Sequence, residues 1–199
     1  MSSSKTNPGR TNQKLYFARL QQDLLLQVLA EGRYDAEAKA LSCREAVIFH
    51  LQGAYQAFLH ELCSFYKLPL HLDSSEALRL AMAAKGQVSP EVQQFQQWEA
   101  DSGSWLAQLQ QAHAGLLRAS EAVVVQPEHD HGHHHDHDHD HDHDELENAP
   151  GASRLITGIT IVHTEADLPL SEPDLARLSQ WHQALTQAIR EFRREMMEW

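Results

Sequence analysis

Two rows of apolar side chains, recurring at alternating intervals of three and four residues, constrain this chain more than any other feature. Leu41, Arg44, Ile48, Leu51, Tyr55, Phe58, Leu62 and Phe65 form the first row. Leu175, Leu178, His182, Leu185, Ile189, Phe192, Met196 and Trp199 form the second. This spacing holds one stripe of a helix against its neighbours, as in the seam of a helical bundle. Each row carries one polar misfit, Arg44 in the first and His182 in the second.

Further helices follow from punctuation and periodicity. A helix capped by Thr11 or Asn12 is expected to reach Glu31, with Gly32 as its stop. Its core face is read from Phe17, Leu20, Leu24 and Val28, widened by Tyr16, Leu25 and Leu29. Asp35 caps the long second helix, which ends near Lys67, ahead of Pro69. Ser74 and Ser75 open a short helix over residues 76–84. Ser89-Pro90 starts another, with serine as cap and proline at the first helical position. That helix carries Val92, Phe95 and Trp98, meets Asp101-Ser-Gly103 and resumes through Trp105, Leu109, Ala112 and Leu116. One kinked helix and two shorter ones are equally compatible with it. Ser171-Glu-Pro-Asp174 begins the last helix, which runs to the C-terminus.

The expected fold is therefore mainly α, four-helix-bundle-like and up-down-up-down. Residues 1–10 read as a disordered leader, and residues 11–199 as a single helical domain interrupted at 127–151 by a disordered His/Asp-rich insertion. Residues 155–162, rich in β-branched side chains, read as a short strand that can pair with residues 123–125 in a hairpin before the last helix. Short connections place Arg44 and His182 at similar depth, below the bundle end from which the insertion leaves.

The insertion holds nine of the fifteen histidines: His129, His131, His133, His134, His135, His137, His139, His141 and His143. Over residues 136–144 each imidazole has a carboxylate on both sides. Imidazole with carboxylate suits zinc, nickel, cobalt and copper ions, whereas magnesium and calcium prefer sites built only of oxygen. Any three or four of the nine rings can serve, which points to a multivalent, exchangeable buffer rather than a catalytic centre with one open position. Two other readings compete: a repeat-expanded loop whose composition is merely tolerated, and a pH response in which nine imidazolium groups offset nearby acids.

Nine acidic residues lie in the same stretch, so the formal charge of −12 belongs mostly to it and the rest of the chain is close to neutral. Without clustered Lys and Arg, neither nucleic acid nor an anionic membrane is an expected partner. No apolar run approaches the ~20 residues of a membrane span, and the first residues lack the apolar core of a secretory signal. Cys43 and Cys63 fall about 30 Å apart along one helix, too far for a disulfide, so a reduced cytoplasmic setting is expected.

Thr11-Asn-Gln-Lys-Leu-Tyr-Phe-Ala-Arg-Leu20, Arg44-Glu-Ala-Val-Ile-Phe-His-Leu51 and Arg194-Glu-Met-Met-Glu-Trp199 resemble a family of short gammaproteobacterial proteins classed as a domain of unknown function. The resemblance implies a helical fold and a bacterial cytoplasm, and carries over no activity or site. The His/Asp tract looks like an insertion relative to that pattern. Arg44 and His50 also resemble the Arg-x(4-6)-His motif of HEPN ribonucleases, but six residues turn a helix by about 240°, which sends the two side chains to different faces. The chain has no phosphate loop, no Cys-x-x-Cys and no nucleophile with its base, so no enzyme is expected. His50, His60, His71 and His113 stand alone and read as packing or surface residues. The four tryptophans read as core or groove aromatics. Trp199 can instead cover a neighbouring subunit, which makes a helical face for a protein partner or a second copy the competing functional class.

Overall fold

The first two helices are joined by a tight turn at Gly32, whose φ of 57° lies in the left-handed region that suits a residue without a Cβ. In this computed structural model, residues 8–118 and 170–198 are described. They form α1 (Gly9–Glu31), α2 (Ala36–Phe65), α3 (Ser75–Ala83), α4 (Pro90–Ala100), α5 (Trp105–Leu117) and α6 (Glu172–Met197). All of them fall in one unit, and no strand occurs among the described residues. Residues 123–125, most of the insertion's flanks, the insertion itself, residues 155–162 and Trp199 lie outside them.

The seam of α2 matches the reading of the sequence. Leu41, Ile48, Leu51, Tyr55, Phe58 and Leu62 are buried, and only Phe65, in the last turn, is exposed. In α6, Leu178, Leu185, Ile189 and Phe192 are buried likewise. Aromatic rings knit α2, α4 and α6 together around Phe95. Its ring meets Tyr55 at 5.1 Å and Phe192 at 5.2 Å, both edge to face, with Phe58 at 6.0 Å. Edge-to-face pairs align the positive ring edge with the negative face of the neighbour, which adds to the burial of area.

The face of α1 differs from expectation. The buried row is Thr11, Leu15, Ala18 and Leu25, while Tyr16, Leu20, Leu24 and Leu29 are exposed. The helix is thus rotated by about one residue, roughly 100°. The reason lies in two polar side chains on the row. Thr11 donates its hydroxyl to buried Glu61, and Gln22 Nε2 donates to the carbonyl of Leu178 at 3.0 Å. Ala18, fully buried, adds no bulk at the contact. Thr11 is therefore a core residue of the first turn rather than the cap. The helix begins at Gly9 after Pro8, inside the segment expected to be a leader.

The third stretch is two helices. Asp101 Oδ1 accepts from the Gly103 N–H at 2.9 Å, and Ser104 Oγ accepts from the Ala107 N–H at 3.1 Å, so one chain turn is closed and a new helix capped within four residues. The same Ser104 hydroxyl donates to the Trp98 carbonyl, tying the end of α4 to the start of α5. Ser89 caps α4 through the Val92 N–H with Pro90 at the first position. Ser74 caps α3 through the Ala77 N–H.

Hydroxyl-to-carboxylate bonds hold α3 and α4 onto α2. Tyr55 and Ser75 both donate to Glu99, and Tyr66 donates to Glu91 at 2.9 Å. Glu91, Phe95 and Glu99 follow one another at intervals of four on a single face of α4. The pairing of Tyr66 with Glu91 and of Tyr55 with Glu99 sets α4 antiparallel to α2. Burial and the adjacent carboxylate push the Tyr66 phenol up to about 12 and the Tyr55 phenol further still, so both remain donors at neutral pH.

Candidate functional site

All nine candidate metal ligands, His129, His131, His133, His134, His135, His137, His139, His141 and His143, lie outside the described residues. The chain leaves the described part after Arg118, just beyond α5, and re-enters it at Leu170, ahead of α6. Among the described residues no group of three or more His, Cys, Asp or Glu side chains is placed to hold a metal ion. His50 sits against the Phe17 ring, with Lys14 Nζ 3.5 Å from its Nδ1, and His113 meets the edge of Phe49. Burial lowers the basicity of both rings, with Lys14 and Arg10 adding to the effect at His50. Both cysteines are buried and unbridged.

The two misfits of the apolar rows mark polar sites on different faces of α6. Arg44 on α2 lines a recess of about 290 Å³ with Gln108, Gln111 and Ala112 of α5 and Arg177 and Trp181 of α6. Arg177 and Trp181 are one turn apart and so share a face of their helix. Trp181 is 4% exposed, and its indole Nε1 has no hydrogen-bond partner. Asp174 approaches Arg177 Nη1 at 3.6 Å, and its carboxylate accepts from the Ser171 hydroxyl at 2.6 Å in the capping box that starts α6. The Ser171 bond holds the Asp174 carboxyl below its usual range, with smaller help from Arg177 and Arg44.

His182 follows Trp181 directly in the chain but faces α1. Its Nε2–H donates to the Leu15 carbonyl at 3.1 Å. Burial lowers its basicity, partly offset by that bond and by Asp23, while Arg19 adds to the lowering. Arg44, His50 and His182 are therefore not brought together, and the spacing shared with HEPN ribonucleases does not become a site.

A groove of about 250 Å³ between α1 and α6 is lined by Arg19, His182, Thr186, Arg190 and Arg193 among others. Arg193 Nε and Nη2 form a fork on Glu61, at 3.0 and 2.8 Å, and Nη1 donates to Asn12 at 2.8 Å. The guanidinium also lies 5.9 Å from the Phe58 ring centre. Glu61 and Arg193 escaped the reading of the sequence. The available signal was an acid flanked by Leu59, Leu62 and Cys63 in the most apolar stretch of α2.

Six described helices and a polar recess at the meeting of α2, α5 and α6 define a mainly helical protein. The chain belongs to a family of unknown function, DUF6586, which it matches over residues 1–199. No curated protein and no solved structure matches it. No helix among the described residues is long and apolar enough to cross a membrane.

Proposed function

We propose that this is a non-enzymatic cytoplasmic protein that takes up divalent transition-metal ions as cargo for buffering, storage or delivery. The ligands are His129, His131, His133, His134, His135, His137, His139, His141 and His143, and the ions are zinc, nickel, cobalt or copper. The observation that carries this reading is the density of imidazole and carboxylate through residues 128–145, which alternate strictly over residues 136–144. The carboxylates serve as neighbours that orient each ring and raise its basicity while its other nitrogen binds metal. A gammaproteobacterial origin and an up-down-up-down, four-helix-bundle-like frame belong to the same proposal. The frame is supported by the antiparallel pairing of α2 with α4 and by the short turn between α1 and α2.

The test is metal content by mass spectrometry of untagged protein purified from its native cells without chelating resin, beside a variant lacking residues 128–147. Stoichiometric or higher zinc, nickel, cobalt or copper that vanishes in the deletion supports the proposal. Metal-free protein from metal-replete cells overturns it.

A second reading is favoured by the rotated face of α1, which leaves Tyr16, Leu20 and Leu24 exposed at intervals of four. An unpartnered apolar row of this kind suits a helical interaction protein that binds another chain or a second copy of itself. On that reading the same deletion leaves partner capture and cellular metal tolerance unchanged.

A further inference from the structure

We infer that the outward face of α1 is a self-association surface, on which α1 of a second copy of this chain lies antiparallel across a two-fold axis at Leu20. The inference rests on the second reading above, that α1 is an interaction face, and names its partner. It is independent of metal uptake by the tract.

The order of side chains along the helix supplies the first argument. Leu20 is the middle residue of the 23 in α1. One turn to either side stand Tyr16 and Leu24, and two turns out stand Gln13 and Gln27, so the face reads alike in both directions. Tyr16 is 58% exposed and Leu20 and Leu24 are each 43% exposed, while the buried row of Leu15, Ala18 and Leu25 takes the other side of the helix. A two-fold axis brings the same patch of each copy together, and a face that is symmetric about its own centre meets that requirement in the antiparallel sense. Leu20 then packs on Leu20, and Tyr16 of each copy on Leu24 of the other.

Charge supplies the second. Arg10, Lys14 and Arg19 all precede Leu20, and Asp23 and Glu31 follow it, so the first half of α1 holds no acid and the second half no base. A helix dipole favours acids in the first turn and bases in the last, and α1 has neither, which leaves its charges in the order that its own dipole opposes. Lys14 is turned to His50 of α2. Arg10 donates to Gln13 at 2.7 Å, and among the described residues neither Arg10 nor Glu31 forms an ion pair. Arg10 lies about 15 Å before Leu20 along the axis and Glu31 about 16 Å after it, so an antiparallel copy sets each Arg10 beside Glu31 of the other. Arg19 and Asp23, 3.9 Å apart within one chain, cross between the copies in the same way. A parallel copy would set Arg10 on Arg10 and Glu31 on Glu31.

Area sets the strength. Standard interfaces bury about 800 Å² on each partner, and even a large aromatic side chain contributes at most about 250 Å². Three part-exposed side chains on one helix fall short of that standard, which places the dimer in the weak, micromolar class. At such an interface the charge pairs act mainly on orientation and on the choice of partner.

The experiment is sedimentation velocity of the full chain over protein concentrations from about 1 to 500 µM, with EDTA present so that metal bridging through the tract plays no part. The expected result is a reversible equilibrium of monomer and dimer. Leu20→Glu, which brings two carboxylates together at the two-fold axis, should weaken it about tenfold or more while the helical circular dichroism stays unchanged. Arg10→Glu and Glu31→Arg should each weaken it, most clearly at low salt, and the double swap Arg10→Glu/Glu31→Arg should restore it towards the wild type. Both of these positions are exposed, so the swap carries the test should Leu20→Glu fail to fold. A monomer at every concentration, a dimer indifferent to a folded Leu20→Glu, or a double swap no better than the single ones overturns the proposal. Should the chain be monomeric, loss in Leu20→Glu of a protein captured from its native cells keeps α1 as a face for another chain, and capture unchanged by Leu20→Glu ends that reading too.

Discussion

Replacing Glu61 by Gln keeps the shape of the side chain and removes its charge, and a cycle with Arg193→Gln separates what the fork on Arg193 contributes from the bond that Thr11 donates to the same acid. The carboxylate is 6% exposed and the arginine side chain 23% exposed, so the pair is only partly reached by water. Removing one member of a fully buried ion pair destabilises by about 3–5 kcal/mol, because the other charge is left without compensation. Since Arg193 retains some solvent, about 2–3 kcal/mol is expected here, and the amide NH2 of Gln adds a donor facing a donor. For a chain of this length that corresponds to a fall in Tm of about 4–12 °C. Urea unfolding followed by far-ultraviolet circular dichroism at pH 7 gives the free energies of the wild type, Glu61→Gln, Arg193→Gln and the double variant. The double variant should be less destabilised than the sum of the single ones, by about 1–3 kcal/mol. A coupling below about 0.5 kcal/mol would refute the reasoning, because it would mean that the fork is as weak as an exposed surface pair.

Two further outcomes follow from the packing and the titrating groups. Phe95→Ala should cost about 3–5 kcal/mol in the same unfolding assay, since it empties the centre of the aromatic cluster shared by α2, α4 and α6. His182 is less basic in the folded chain than its ordinary value of 6.5. The unfolded chain therefore takes up this proton first as pH falls below about 6.5, and the stability held above that pH is lost through the window beneath it. His182→Gln, which keeps a donor for the Leu15 carbonyl, should flatten stability against pH there. An unchanged slope in urea unfolding between pH 7 and pH 5 counts against the assignment.

What could be read from the sequence divides along physical lines. The seams of α2 and α6 were legible because aliphatic and aromatic residues repeat at helical spacing, and Ser89-Pro90 and Ser171 announce helix starts by local chemistry alone. The face of α1 was misread because it carries leucines on several sides. The side that wins is chosen by Thr11 and Gln22, whose partners Glu61 and Leu178 lie far away in sequence. Periodicity ranks hydrophobicity and cannot see a hydroxyl that satisfies a distant acid. The same limit hid Arg193, which sits 132 positions from Glu61. Arg44 and His182 were visible as misfits, but only the structure shows that they serve different faces of α6. The break between α4 and α5 was visible at Asp101-Ser-Gly103. That it yields two helices rather than a kink follows from the Ser104 cap.

The bonds from Tyr66 to Glu91 and from Tyr55 and Ser75 to Glu99 bear on more than the attachment of α4. Apolar surfaces alone tolerate sliding, since one leucine is much like the next. Advancing α4 by one residue would turn its face by about 100° and withdraw both carboxylates from their hydroxyls together, while carrying Phe95 out of its cluster. The two acids therefore act as a pair of keys at either end of one aromatic, and α4 has a single register on α2 in which all three fit.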